Sequence, residues 1–435
     1  MTKVKTIIVC AYALYPEIKS SEGIVNKNWI DIIAKNYQTL IVLASAKNQY
    51  FINNISKKNT ITTNWKLKLL SKSLTNKKNL KSFVYKILDK LFLFSNKDVS
   101  FNQFLWSKIQ YQTIKNSYNK LDRNTIFWVR IHPVFSIKPV LKFYKKQEIP
   151  FIININDPIE IISNNQVNYE EQIFLETINY AQCWTFPSQR LAKAISDKYK
   201  LDQNRCFVIP HAMPDVEILY KKTKSENQKL NFYYTGTFYK SAFSEMLCSE
   251  LIKFFRSEES KKIEFTFILS QFDQDSLEWI KTNFPNSKIL TKLSREQVLE
   301  ITSDADCMLV LDSVLHQDLL KGKLIEAISQ GIPVFAITYQ DSVMDKVVNE
   351  YGSISSYQNV QNDISDKLSQ MIQNISDDKW LENFYENRKT VLEKISEKNI
   401  AKITNQITEF ALYRFLWQQK KLDGQPEIPK NSQWP

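Results

Sequence analysis

His316-Gln-Asp-Leu-Leu-Lys-Gly-Lys-Leu-Ile-Glu-Ala-Ile-Ser-Gln-Gly-Ile-Pro-Val-Phe-Ala336 is the stretch that decides the fold. Leu324, Ile325 and Ile328 recur at helical spacing. Gly331 stands where a helix would end, and Pro333-Val334-Phe335-Ala336-Ile337 reads as a buried strand. Asp318 and Glu326 flank the loop-to-helix junction, eight residues apart, with Lys321, Gly322 and Lys323 between them. Carboxylates, ammonium groups and helical N–H donors can therefore converge on one polyhydroxylated, phosphorylated ligand. The competing account of the same residues is an ordinary amphipathic helix with solvated charges.

Outward from this stretch, strands and helices alternate. Thr6 to Ala13 reads as a strand, Ser21-Glu22-Gly23 as a loop, Ile24 to Lys35 as a helix and Thr39 to Ala44 as the next strand. That β-α-β opening predicts a doubly wound domain, whose ligand loops lie at the carboxyl ends of the strands. Further strands are expected at Ile126–Ile131, ahead of His132-Pro133, at Phe151–Ile155, ahead of Asn156-Asp157-Pro158, and at Tyr180–Phe186. The pattern restarts at Asn231–Thr235, where Gly236-Thr237 opens a loop, and continues through strands at Ile263–Leu269 and Cys307–Leu311. Ser294-Arg295-Glu296-Gln297 has the form of a capping box.

Composition bounds the possibilities. A chain of 435 residues exceeds one small core, and 43% hydrophobic with 13% aromatic residues excludes a disordered protein. No apolar run approaches the roughly eighteen residues of a membrane span. The short run Thr6 to Leu14 lacks a small-residue cleavage site and reads as a first strand rather than a signal peptide. Five widely spaced cysteines suit reduced, buried thiols in the cytoplasm, and three histidines without a Cys-x-x-Cys offer no recognisable metal spacing. Six glycines are few, so each is expected where backbone geometry demands one.

Charge is unevenly placed. Residues 1 to 140 hold 23 Lys and Arg against 6 Asp and Glu, while the whole chain is only +12, so the remainder is net acidic. Residues 57–97 concentrate the excess, with eleven lysines around the single acid Asp89. Within them Phe83, Ile87, Leu91 and Phe94 fall at helical spacing, with Lys86 and Lys90 off that stripe. A basic amphipathic helix of this kind suits an anionic membrane surface, at about 1 kcal/mol per cation near the headgroups. The alternative is a helix docked on its own domain. Nucleic acid is not the expected partner.

The motif at Asp318 to Val334 resembles the donor-binding motif of the GT-B glycosyltransferases, in particular family 4. That family carries Glu, seven residues, Glu, and then a Gly-x-Pro-Val turn. Here Asp318 stands in place of the first Glu, Glu326 matches the second, and Lys323-Leu324-Ile325-Glu326 fits a Lys-Leu-x-Glu subset. Asn156-Asp157-Pro158 is similar to the family's Arg-Asp-Pro with Asn for Arg. Phe207-Val208-Ile209-Pro210-His211 resembles its interdomain strand. Gly236 matches the glycine of a Gly-Arg pair but is followed by Thr237, leaving Lys240 as the nearby cation, and the single Gly23 stands for an N-terminal Gly-Gly.

The resemblance implies two facing Rossmann-like α/β domains with a cleft between them. Their expected bounds are 1–205 for acceptor binding, with 57–97 as an insertion, and 206–390 for the nucleotide sugar. A helix over 391–415 would return to the first domain, followed by a mobile tail over 416–435. It implies a retaining, metal-independent hexosyltransferase without a cofactor, acting on a glycan or lipid-linked acceptor in cell-surface polysaccharide synthesis. Such an enzyme would be cytoplasmic, either free or peripheral on the membrane's inner face. Glu326 would bind the donor's ribose, Asp318 the transferred sugar, and Lys240 and Lys323 the diphosphate, with Gly23 and Gly236 admitting the ligand. His132 or Asp157 would hold or deprotonate the acceptor hydroxyl. A nucleotide-sugar epimerase of the same build and a non-catalytic partner subunit are the alternatives.

Overall fold

The computed structural model describes residues 3–15, 20–44, 60–62, 101–117, 124–132, 134–159, 167–212, 228–239, 244–312, 319–430 and 434–435. The chain divides into two compact units. Unit 1 takes residues up to Ala212 together with Glu397–Trp434, and unit 2 takes Met213–Ser396.

Unit 1 is built on a seven-stranded parallel sheet. Its strands are β1 (Thr6–Cys10), β2 (Thr39–Leu43), β3 (Thr60–Thr62), β4 (Thr125–Arg130), β5 (Phe151–Asn154), β6 (Cys183–Phe186) and β7 (Cys206–Val208), in the order β3-β2-β1-β4-β5-β6-β7. The apolar runs TIIVC and TIFWVR are buried at every position, as strands covered on both faces must be. Its helices are α1 (Ser21–Ile33), α2 (Phe101–Ser117), α3 (Ile137–Gln147), α4 (Val167–Thr177) and α5 (Gln189–Tyr199). The strand order turns back on itself between β1 and β4. In a doubly wound sheet that reversal opens a crevice at the carboxyl ends of the strands.

Unit 2 repeats the plan with six parallel strands, β8 (Leu230–Phe238), β9 (Ile263–Phe272), β10 (Lys288–Thr291), β11 (Cys307–Leu311), β12 (Val334–Thr338) and β13 (Ile354–Tyr357). Their order, β10-β9-β8-β11-β12-β13, reverses between β8 and β11. The covering helices are α6 (Glu245–Phe255), α7 (Gln274–Asn283), α8 (Arg295–Thr302), α9 (Gly322–Ser329), α10 (Val343–Glu350), α11 (Asp363–Ile375) and α12 (Asp378–Ile395). Phenylalanines fill this core, with Phe265, Phe267 and Phe284 among those in ring contact.

A last helix, α13 (Glu397–Gln418), belongs to unit 1. The indole N–H of Trp29 on α1 donates to Thr404 Oγ1 at 3.3 Å, and Tyr37 and Thr408 share a hydrogen bond at 3.0 Å. Phe410 meets Phe207 of β7 edge-on at 5.3 Å. Beyond it the chain is irregular to residue 430, and Trp434 is buried. Among the described residues no helix is long and apolar enough to cross a membrane.

Candidate functional site

Each unit gathers its polar residues at the strand-order reversal. In unit 2, β8 ends through Gly236, whose φ of +131° is open to glycine and strained for other residues. The register against β9 shifts between Gly236 and Thr237. A Cβ on Gly236 would sit 3.9 Å from the methylenes of Lys323, so the end of β8 and the start of α9 lie side by side.

Helix α9 has no side-chain cap at Lys321, which leaves its first amides without the acceptor a Ser or Asp would supply. Lys323 Nζ donates to Glu326 Oε2 at 2.8 Å, and Arg295 Nη2 on α8 stands 3.5 Å from Glu326 Oε1. Two residues before Lys323, Lys321 Nζ lies 3.2 Å from Oδ1 of Asp312, which follows β11. The Asp312 side chain is fully buried and its Oδ2 accepts from Thr338 Oγ1 at 3.1 Å. Three cations thus surround two carboxylates beside an open helix start, an arrangement able to take up an anion. Behind the site, buried Arg388 donates to the Gly331 carbonyl at 2.8 Å and Tyr351 to that of Ile332 at 3.1 Å, fixing the turn between α9 and β12.

In unit 1 the hub is Glu22, a residue outside the sequence-predicted set. Ser20 caps α1 by accepting from the Gly23 N–H at 3.1 Å, so the helix starts at Ser21 and Glu22 sits buried in its first turn. This corrects the expected loop through Ser21-Glu22-Gly23. Gly23 is helical because the capping serine comes one residue earlier than the assumed loop allowed. Asn156 Nδ2 donates to both Glu22 oxygens at 3.1 and 3.0 Å, and Arg130 Nε, the last residue of β4, stands 3.7 Å from Oε1. Burial pushes the Arg130 pKa down while Glu22 opposes that shift. His211 closes the group. Burial holds its pKa down to about 4, with Glu22 raising it and Arg130 lowering it further.

Of the sequence-predicted residues, Gly236, Lys323 and Glu326 come together in unit 2. Gly23 lies next to Glu22 in unit 1. Asp157 follows Asn156, half-buried, and His132 lies two residues beyond Arg130 with its Nδ1 buried and without a hydrogen-bond partner. Asp318 and Lys240 lie outside the described residues, as do 57–59 and 63–97 of the basic segment. Arg295, Asp312 and Glu22 are site residues that sequence reasoning passed over. The capping box at Ser294 and Gln297 forms as expected and is what aims Arg295 from the first position of α8. All five cysteines are buried and none forms a disulfide, and burial pushes Cys10 up to about 12, which removes it as a nucleophile. Among the described residues no group of three or more His, Cys, Asp or Glu is arranged to hold a metal.

Two doubly wound units of like strand order define the GT-B fold, and solved structures of that class match the chain. Sucrose-phosphate synthase from Thermosynechococcus elongatus aligns over 95% of this chain and 100% of its own, with a TM-score of 0.61 and 12% identity. The E. coli trehalose-6-phosphate protein bound with UDP-2-fluoro glucose aligns over 93% and 99%, with a TM-score of 0.59 and 12% identity. S. aureus TarM in complex with fondaparinux, alpha-GlcNAc-glycerol and UDP aligns over 70% of this chain at a TM-score of 0.51 and 12% identity, and the chain spans 59% of TarM's length. No protein-family model matches the sequence, and no curated protein does.

Proposed function

We propose that the chain is a glycosyltransferase of family 4 type, transferring a hexosyl group from a nucleotide-diphosphate sugar held in unit 2 to a hydroxyl of a glycan or lipid-linked acceptor held in unit 1. The observation that carries this is the meeting of Gly236, Lys323 and Glu326 at the β8/β11 reversal, with Arg295 and the uncapped start of α9 beside them. Ribose hydroxyls donate well to a carboxylate, which suits Glu326. The diphosphate needs cations and N–H donors, which Lys323, Lys321 and the first amides of α9 supply. The UDP bound in TarM and the UDP-2-fluoro glucose bound in the E. coli protein are the ligand class such a site would take.

In the reaction, the bond from the sugar's anomeric carbon to the diphosphate breaks as the acceptor oxygen bonds to that carbon. The acceptor's proton leaves toward His132 or Asp157, or to the departing phosphate. Lys323 and Lys240 meet the charge that grows on the diphosphate, so stabilisation is electrostatic and needs no metal. Asp318 contacts the transferred sugar, and configuration is retained. The basic aromatic segment 57–97 supports a lipid-linked or polysaccharide acceptor, and with it a role in cell-surface polysaccharide synthesis at the cytoplasmic membrane face. Neutralising its lysines between 66 and 90 is expected to abolish sedimentation with anionic liposomes, and unchanged sedimentation would remove the membrane from the proposal.

The test is turnover. Offered UDP-, GDP-, ADP- and CMP-sugars with a mixture of glycan and lipid acceptors, the protein is expected to release nucleotide from one donor class. Glu326→Ala should slow that release about tenfold to a hundredfold, the worth of hydrogen bonds to a charged group. Conversion of a donor sugar without acceptor would mean an epimerase. No turnover of any donor would mean a non-catalytic subunit.

A further inference from the structure

On the α1 side of unit 1 the sheet rises in rungs. Val42, Val9, Trp128, Ile152 and Cys183 form one, apolar throughout and part of a single core. Two residues on, the same face carries Arg130, Asn154 and Thr185. Side chains alternate faces along a strand, so this last rung is polar by sequence, at the carboxyl edge where the strand order reverses.

Its hydrogen bonds are incomplete. Asn154 Nδ2 donates to Thr185 Oγ1 at 3.0 Å, but Asn154 Oδ1 has no partner. Neither has the indole N–H of Trp128 nor the Nε–H of Arg130, which at 3.7 Å from Glu22 is beyond hydrogen-bond reach. All three side chains are more than nine-tenths buried. Orphaned polar atoms at such depth are uncommon in folded proteins and call for an occupant.

The three residues line one small pocket, bounded also by Val25, Trp29, Asn156 and His211. Its free space suits about one water-sized group. Its charges cancel, because Glu22 faces Arg130 and His211 stays neutral above about pH 4. Half-buried Val25, Asn156 and His211 open it to solvent.

We infer that this pocket receives a single uncharged hydroxyl of the acceptor, which donates to Asn154 Oδ1 and accepts from Trp128 Nε1–H and Arg130 Nε–H. The inference rests on the proposal that unit 1 holds the acceptor. A hydroxyl has both the hydrogen Asn154 needs and the lone pairs the two donors need. A phosphate or carboxylate is too large, has no hydrogen for Asn154 and meets Glu22 as a like charge. The acceptor group recognised here is therefore a sugar or polyol hydroxyl rather than a phosphate or carboxylate.

The test is titration of the full chain, followed by saturation-transfer NMR, with the methyl glycosides of glucose, galactose, mannose and N-acetylglucosamine, and with glucose 6-phosphate and glucuronate as anionic counterparts. At least one neutral glycoside is expected to bind more tightly than the anionic sugars. Trp128→Phe, which keeps a ring but loses the donor, should weaken it about tenfold, as should Asn154→Ala. Where a core variant fails to fold, Val25→Phe on the rim should block binding by bulk alone. Tighter binding of the anionic sugars, no binding of any neutral glycoside, or equal affinity in folded variants would overturn the inference, leaving the pocket to a structural water. UDP, GDP, ADP and CMP titrated into the same samples separate the two claims. Nucleotide binding without glycoside binding sinks only the pocket, and glycoside binding without nucleotide binding sinks only the donor site.

Discussion

The two units share a strand order and differ in what they hold at its reversal. In unit 2 the ends of β8 and β11 carry Gly236 and Asp312, and three cations outnumber the two carboxylates they touch. In unit 1 the corresponding edge carries one buried cation, Arg130, matched by Glu22, with His211 kept neutral. The same architecture thus presents an anion-ready site in one unit and a charge-balanced, hydrogen-bonding site in the other. The difference lies in a few side chains at strand ends, not in the fold.

The comparison can be broken at several points. The largest effect should come from Lys321→Met, which leaves the buried Asp312 carboxylate without its cation. Unpairing a buried ion pair costs about 3 kcal/mol or more, and partial exposure of Lys321 keeps the figure at the lower end. The thermal transition of unit 2 should then fall by roughly 6–12 °C by calorimetry, and a fall of a degree or less would mean that the pair does not organise the site.

A smaller loss is expected from Gly236→Ala. The added Cβ meets Lys323 only at ordinary contact distance, so the cost is the backbone strain of φ +131°, about 1–2 kcal/mol. Chemical denaturation measures it, and an unchanged midpoint would show that β8 can relax at this point.

The smallest effect is a pH dependence confined to unit 1. His211 has its folded pKa, about 4, below the ordinary 6.5, so its contribution to stability is whole above pH 6.5 and is lost as pH falls from there toward 4. Half-burial limits the effect to about 1 kcal/mol. Wild type should lose more stability over that window than His211→Gln, whereas parallel curves would mean that His211 titrates normally.

Much of the fold was legible in local pattern. Leu324, Ile325 and Ile328 mark α9, Gly331 ends it at φ +71°, and the apolar run after it is β12, because helix and strand periods are written in adjacent residues. The capping box at Ser294 is equally local. What stayed hidden depends on which strands become neighbours. Glu22 gains its meaning only when the end of β4 brings Arg130 and the turn after β5 brings Asn156. Asp312 reads as the end of an apolar run until Lys321 folds back on it. One local signal was available for Glu22. Ser20 followed by an acid two residues later is a helix start, and it places Glu22 in the first turn rather than in a loop.

The most direct measurement is calorimetric titration of UDP, GDP, ADP and CDP into the wild type and Glu326→Ala at low and at high salt. One nucleotide is expected to bind the wild type and to bind Glu326→Ala about tenfold to a hundredfold more weakly. Its affinity should fall as salt rises if Lys321, Lys323 and Arg295 meet its phosphates as proposed. Affinity that ignores both the Glu326 substitution and salt would contradict the assignment of unit 2 as the anion-binding half of the protein.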